Sequence, residues 1–77
     1  MKFNLKKGDV VTLFFVDKKL QYYGTIVEIF EKDNVIRIVD KSFQYGFEDI
    51  DLNDIEKIII HGNKYENTFK ELRKWNF

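Results

Sequence analysis

Residues 20–31 read LQYYGTIVEIFE, and this stretch decides what kind of fold the chain adopts. Its tyrosine, threonine, isoleucine, valine and phenylalanine residues favour a pleated strand, but the run is long for a flat one. Gly24 lies inside it, where a glycine indicates a β-bulge or a close approach of another backbone segment. Because a long strand that bends at a glycine lets a small sheet curl, we expect a bend or bulge at Gly24.

The segments on either side of this stretch predict a mainly β fold. The predicted strands span 10–16, 20–31, 35–39, 43–50 and 56–61, with one helical turn at 52–55. Short polar turns separate neighbouring strands, which favours an antiparallel meander. Five such strands typically close into a small SH3-like barrel that hides most sheet edges. The isoleucines expected in its core are Ile26, Ile36, Ile38, Ile55 and Ile58.

After Gly62 the apolar period changes from that of a strand to that of a helix. The apolar stripe of this predicted helix, over 63–75, consists of Tyr65, Phe69, Leu72 and Trp75. Asn63 and Glu66 have the spacing of a capping box. The stripe is too apolar to stay in water, so we expect the helix to dock on its own barrel, on a second copy or on a partner. Residues 1–77 thus form one domain, a barrel at 8–61 and a helix at 63–75.

Composition excludes several classes of protein. The chain has 77 residues, 44% of them hydrophobic, which is too apolar for intrinsic disorder. It has no cysteine, which excludes a disulfide scaffold, a thiolate zinc site and a cysteine enzyme. No apolar run has the length of a membrane span or of a signal segment. We therefore expect a cytoplasmic protein without membrane contact, and the abundance of Lys, Asn, Ile and Phe favours a bacterial or phage origin.

Charge is balanced overall but unevenly distributed. Thirteen basic and thirteen acidic residues give a net charge of zero, whereas nucleic-acid-binding domains are usually basic. Residues 1–19 carry five bases against two acids, residues 28–56 carry nine acids against three bases, and residues 57–77 carry five bases against two acids. The basic ends could pair with the acidic middle, within one chain or between copies.

Catalytic and metal-binding chemistry have little support. Ser42 and His61 are the single serine and histidine, and no nucleophile motif surrounds Ser42. The carboxylates of Asp49, Asp51 and Asp54 suggest a hard-cation site, but the glycine and the glutamate of a calcium loop are missing. We predict a non-enzymatic protein without cofactor or metal, whose acidic segment faces solvent or a basic partner.

Two adjacent tyrosines precede Gly24. Consecutive strand residues point to opposite faces, so one of Tyr22 and Tyr23 faces the core and the other faces solvent or a partner. An exposed tyrosine on a barrel can stack on a nucleic-acid base or enter a protein interface. The alternative is that it packs against an aromatic residue of the next strand.

Two segments resemble the motifs of the Sm-like fold. In the first, Gly24 is followed by alternating apolar residues, and Asn34 lies ten positions later at the start of the third strand. In the second, Tyr45-Gly46 precedes the apolar anchors of the segment that ends at Ile58. The resemblance covers about residues 10–60. It implies a small barrel, assembly into rings and a base-binding site that contains Asn34.

The chain departs from the Sm-like pattern at the residues that bind RNA. Phe30 stands at the acidic position before the turn, and Asp33 stands at the base-stacking position. Asp51-Leu52 replaces the Arg-Gly pair, and an aspartate there repels phosphate. The resemblance therefore supports the barrel and its assembly more than RNA binding.

These observations lead to two functional hypotheses. The first is a small non-enzymatic binding module that self-associates and engages a protein partner. The alternative is an Sm-like oligomer that binds nucleic acid or sequesters a small nucleotide, using Tyr22 or Tyr23, Asn34 and the basic ends. The candidate binding residues are Tyr22, Tyr23, Asn34, Asp49, Asp51, Asp54, Phe69 and Trp75.

Overall fold

The computed structural model describes residues 3–17 and 19–66 as one antiparallel β-sheet of five strands. The strands are β1 (Asp9–Phe15), β2 (Gln21–Phe30), β3 (Val35–Val39), β4 (Phe47–Asp51) and β5 (Ile55–Asn63). Two 3-10 turns lie at Glu31–Asp33 and Leu52–Asp54, and the described residues contain no α-helix. The strand order β4-β3-β2-β1-β5 confirms a mainly β fold, in which β1 to β4 form a meander and β5 pairs with β1. None of the described residues belongs to a helix long and apolar enough to cross a membrane.

Two strand boundaries differ from the prediction by more than one residue, each for a local reason. The strand predicted at 43–50 begins only at Phe47. Gly46 takes a positive φ of 82°, and its N–H donates to the carbonyl of Phe43, so the preceding residues form a turn. β5 continues past His61 because its pairing with β1 extends as far as Asn63.

The long strand β2 has a different neighbour on each of its two halves. Gln21–Thr25 pairs with β1, and Thr25–Phe30 pairs with β3. A register shift opposite β3 leaves Val27 as an extra residue, and β5 has two further shifts opposite β1. Such bulges bend a strand and increase its twist. The sheet is therefore curved at β2 and along the β1–β5 pair.

The connection between the outer strands shows how far the sheet curves. In a flat sheet, four spacings of about 4.8 Å would hold β4 and β5 about 19 Å apart. Only the turn Leu52–Asp54 joins them, and four residues span at most about 14 Å. The sheet therefore folds over at β2. Leu52 N–H donates to the Asn34 carbonyl over 2.9 Å, and Val16 N–H to the Asp54 carbonyl over 2.8 Å, which holds this corner together.

The prediction of a closed barrel is wrong. Among the described residues, β4 pairs only with β3 and β5 pairs only with β1. The backbone groups at the corner between the outer strands bond instead to the end of β1 and to the turn before β3. The five-residue β4 ends there, so the sheet stays open along two edges.

The core lies between the two halves of the folded sheet. Its buried members are Val11, Leu13, Ile26, Ile36, Ile38, Ile50, Leu52 and Ile55. Four of the five predicted isoleucines are among them, and Ile58 is half-buried against them. Phe3 and Leu5 pack on the same cluster from before β1. Alternation along the strands thus identified half of the buried members of the core.

Gly24 has a different role from the predicted bend. It lies in regular register opposite Val11, and the bulge falls three residues later at Val27. A β-carbon at Gly24 would lie 2.8 Å from the carbonyl oxygen of Val39 and 3.3 Å from the β-carbon of Ile38. The glycine therefore permits a close approach of β3, the second of the two uses expected of a glycine within a strand.

A buried polar group joins the beginning of β1 to the end of β5. Asn63 Nδ2 donates to Asp9 Oδ1 over 2.8 Å and to the Lys7 carbonyl over 2.9 Å. Asn63 Oδ1 accepts from the N–H groups of Tyr65 and Glu66 at 2.8 and 3.0 Å. The second pair of bonds is the contact predicted for Asn63 as a helix cap. The rest of the predicted helix, 67–75, lies outside the described residues.

Candidate functional site

The two adjacent tyrosines point to opposite faces, as alternation predicts. Tyr22 is half-buried and packs edge-on against Phe15 and Phe43, with ring centroids 4.9 and 5.3 Å away. Tyr23 is 53% exposed on the outer face. Tyr22 is therefore part of the packing, and Tyr23 is the tyrosine available to a ligand.

Tyr23 lies beside a histidine that the sequence did not associate with it. The centroids of the Tyr23 and His61 rings are 5.8 Å apart, and the rings are tilted by 47°. A 2.8 Å hydrogen bond joins His61 Nε2 to Thr12 Oγ1. Thr12 is opposite Tyr23 on β2 and Ile59 on β5, so side chains of three strands meet on this face.

A β-bulge brings His61 to this position. Val10 pairs with Gly62 and Val11 pairs with Ile60, which leaves His61 as an extra residue on β5. Bulges commonly redirect a side chain at a functional surface. The sequence suggested only a residue at a strand end, because the spacing of β5 residues does not reveal where the ladder shifts.

The same face continues along the strands to a second aromatic residue. Phe14 is opposite Lys57, whose Nζ lies 5.2 Å from the centre of the phenyl ring. A cation above an aromatic face is held there by the ring quadrupole. We call this surface the Tyr23 patch. It consists of Thr12, Phe14, Tyr23, Lys57, Ile59 and His61.

Two clefts flank Tyr23. One has a volume of about 560 Å³, and its walls include Gln21 and the strongly exposed Tyr45. The other, of about 410 Å³, is lined by Lys41 and Lys64 as well as by Tyr23. Tyr23 therefore lies between two concave surfaces, one lined by aromatic rings and the other by lysines.

Asp40 is the acidic residue of the second cleft. Its Oδ2 accepts hydrogen bonds from the N–H and the hydroxyl of Ser42. These bonds lower the pKa of Asp40, with smaller contributions from Lys41 and Lys64. The single serine is thus bonded to a carboxylate, while the single histidine bonds to a threonine.

The predicted acidic segment is a separate surface on β4 and the turn after it. Arg37 donates to both carboxylate oxygens of Asp49, over 2.7 and 3.0 Å, and these bonds lower the pKa of Asp49 and raise that of Arg37. The guanidinium also lies over the rings of Phe47 and Phe30, at 4.7 and 5.7 Å. The sequence did not predict this arrangement, because it depends on the register of β3 with β4.

Asn34 and Asp51 meet at the corner where the sheet folds over. Asn34 has a left-handed φ of 56°, and its Nδ2 donates to Asn53 Oδ1. Asp51 Oδ1 accepts from the N–H of Asn53 and so caps the 3-10 turn. Asp54, the last residue of that turn, is exposed. Among the described residues, no group of three or more His, Cys, Asp or Glu side chains is placed to hold a metal ion.

The predicted site residues therefore fall into separate groups. Tyr23 is in the Tyr23 patch, Tyr22 is under it, and Asn34 and Asp51 lie together at the acidic corner with Asn53. Phe69 and Trp75 lie outside the described residues.

Comparison with protein-family models, curated proteins and solved structures gave no match for this chain.

Proposed function

We propose that this protein is a small non-enzymatic binding module that self-associates and engages a protein partner through the edge of β5. The supporting observation is the contrast between the two open edges of the sheet. An unpaired edge presents backbone N–H and carbonyl groups that can bond to a strand of another chain. Proteins that remain monomeric protect such edges with short strands and charges.

The β4 edge carries this protection. β4 has five residues, three of which are the acids Glu48, Asp49 and Asp51. Close approach of another copy there brings like charges together, and the backbone pairing does not compensate for this repulsion. The β4 edge is therefore the weaker candidate for assembly.

The β5 edge is less protected, because its charges are limited to Glu56 and Lys57 and its two bulges leave Lys57 to Ile60 in regular register with β1. β5 has nine residues and contains three consecutive isoleucines, Ile58 to Ile60. Ile60 is 47% exposed and Ile59 is 38% exposed. A strand from a second copy, or from a partner protein, would pair with the backbone and cover both side chains. The same edge serves self-association and partner binding, so the two compete.

The folded five-stranded meander also supports the Sm-like resemblance as a proposal about architecture. In its Sm-like form, the alternative of nucleic-acid or nucleotide binding would need Tyr22 or Tyr23 in one pocket with Asn34, and neither cleft beside Tyr23 includes Asn34. Tyr22 packs under the sheet, and Asn34 lies beside Asp51 at the corner between the outer strands. A nucleic-acid site would therefore have to use a different surface.

The test is the mass in solution, measured by light scattering over a range of concentrations. The chain has a mass of 9.3 kDa, and we expect a mass that rises to a multiple of this value. Ile60→Lys should return the protein to the monomer mass, because a charge on the pairing edge opposes strand addition. Leu20→Lys is the matched control, since Leu20 is 41% exposed in the turn before β2. A wild-type mass of one chain at every concentration contradicts self-association.

A further inference from the structure

We propose that the Tyr23 patch binds single-stranded nucleic acid, with a base stacked on Tyr23 and the phosphates running past Lys57 and Lys64. The patch includes Lys57, Ile59 and His61 of β5, and binding there extends the proposed function. The proposal depends on three properties of the patch: its exposed rings, its charge and the clefts beside Tyr23.

The rings of the patch are exposed and held in place. Tyr23 is not needed to fill the core, because Tyr22 on the other face packs with Phe15 and Phe43. Contact with the His61 ring and the bond from His61 to Thr12 restrict the surroundings of the Tyr23 ring. An ordered, exposed aromatic ring on a sheet is a stacking platform, since every base has a π-face.

The charge of the patch suits a polyanion although the whole chain is neutral. Lys57 is the charged residue of the patch itself, and the neighbouring cleft adds Lys41 and Lys64. Asp40 is the one acid lining that cleft, where it accepts hydrogen bonds from Ser42 and faces two lysines. Of the nearby acids, Glu28 pairs with Lys7, Glu56 adjoins Lys57 in sequence, and Glu48 lines the first cleft. The phosphates are therefore proposed to follow the lysines of the second cleft, away from Glu48.

The shape of the patch favours a single strand over a duplex. Bases within a duplex stack on one another and do not reach a ring between two clefts, whereas unstacked bases can stack on aromatic side chains. The residues around the Tyr23 ring include Thr12, His61, Lys41 and Lys64, which add hydrogen bonds and positive charge to the apolar surface of Phe14 and Ile59. These features favour a nucleic acid over a protein segment as the ligand.

The experiment measures fluorescence anisotropy of labelled oligo-dT and oligo-rU of about 20 nucleotides, longer than the roughly 4–16 nucleotides of comparable sites. The full chain should bind both at low salt and lose affinity steeply as salt increases. Tyr23→Ala should weaken binding about 5- to 100-fold, the range measured for loss of one stacking ring. Tyr23→Phe keeps the ring and should stay within about threefold of wild type. A duplex of the same length should compete poorly.

Matched variants distinguish a loss of binding at the Tyr23 patch from a general effect of losing a tyrosine or changing a charge. Tyr65 is also an exposed tyrosine, outside the patch and both clefts, and Tyr65→Ala should bind as wild type does. Lys57→Glu should weaken binding and reduce the salt slope by about 0.7 for one lost phosphate contact. Lys32→Glu, in the turn before β3, should change neither.

Several outcomes would overturn the proposal. They are absence of binding by the wild-type chain at low salt, equal affinity for duplex and single strand, and equal affinity of wild type and Tyr23→Ala. Equal losses in Tyr23→Ala and Tyr65→Ala would also overturn it. Melting temperatures of all variants identify any loss of folding, and Lys57→Glu compared with Lys32→Glu carries the test if Tyr23→Ala does not fold. Light-scattering masses report self-association independently, so failure of one proposal leaves the other measurable.

Discussion

At the scale of single residues, close packing decides more than strand propensity does. Gly24 is in a strand interior, where glycine is a poor strand former. Glycine is required because a β-carbon at this position would lie only 2.8 Å from the carbonyl oxygen of Val39. Backbone atoms cannot move aside as the end of a flexible side chain can. At position 24, glycine is therefore more favourable than the β-branched residues that strands ordinarily prefer.

Gly24→Val should accordingly destabilise the protein by about 1–3 kcal/mol, the usual cost of overpacking a filled site. Gln21→Val is the control, because Gln21 is an exposed β2 residue, where substitutions usually change stability by less than about 0.5 kcal/mol. Urea unfolding of both variants measures the difference. A Gly24→Val variant as stable as wild type would show that β3 does not approach β2 so closely.

The Arg37–Asp49 pair predicts how stability depends on pH. Hydrogen bonds from Arg37 lower the pKa of Asp49 below its ordinary value of 3.8. The folded state therefore binds this proton less readily than the unfolded state, and the pair stabilises the fold above that ordinary value. The contribution is lost as pH falls through the lower, folded-state pKa. The pair is largely exposed, so the effect is small and decreases with salt.

In Arg37→Gln, the free energy of unfolding should therefore fall less than in wild type as the pH is lowered. We expect the urea midpoint of wild type to fall more than that of Arg37→Gln between about pH 5 and about pH 2. Asp49→Asn should behave as Arg37→Gln does, because it removes the titrating group. Parallel acid limbs in wild type and both variants would contradict the assignment.

At the scale of elements, one buried side chain joins the two ends of the sheet. Asn63 satisfies the carboxylate of Asp9, the carbonyl of Lys7 and two backbone N–H groups at the same time. Asp9 and Asn63 are each only 3% exposed. The Asp9 carboxylate also accepts from the N–H of Lys6, but loss of the Asn63 donor in a buried site is costly, because water does not replace it. Gly8, with a φ of +90°, allows the tight turn that brings Lys7 and Asp9 to Asn63.

Asn63→Ala should cost about 2–4 kcal/mol, more than a helix cap alone, because buried groups on two elements lose their partners. Asn53→Ala is the matched control. Asn53 is an exposed asparagine that bonds to the Asn34 side chain, and its removal should cost less than about 1 kcal/mol. Thermal and urea unfolding measure both values. Equal stabilities of the two variants would mean that the bonds of Asn63 do not determine how the ends of the sheet are held.

At the scale of the whole molecule, the fold is a sheet bent over its own core. The sheet bends because the two halves of β2 pair with different strands, β1 and β3, and because only a short turn joins β4 to β5. Two clefts flank Tyr23: Lys41 and Lys64 line one of them, and Glu48 of β4 lines the other. A neutral chain thereby has faces of different charge, which net charge alone conceals.

The sequence by itself determined the properties that depend on neighbouring residues. Alternating apolar residues identified the strands and four fully buried isoleucines, and Asn63, predicted as a capping residue, accepts hydrogen bonds from the N–H groups of Tyr65 and Glu66. The tertiary structure alone decided that the sheet stays open, that Tyr23 is the exposed tyrosine, and that His61 lies beside it. Each of these depends on register and on bulges between strands distant in the chain. A shift of one residue in pairing moves a side chain to the other face without any change in local pattern.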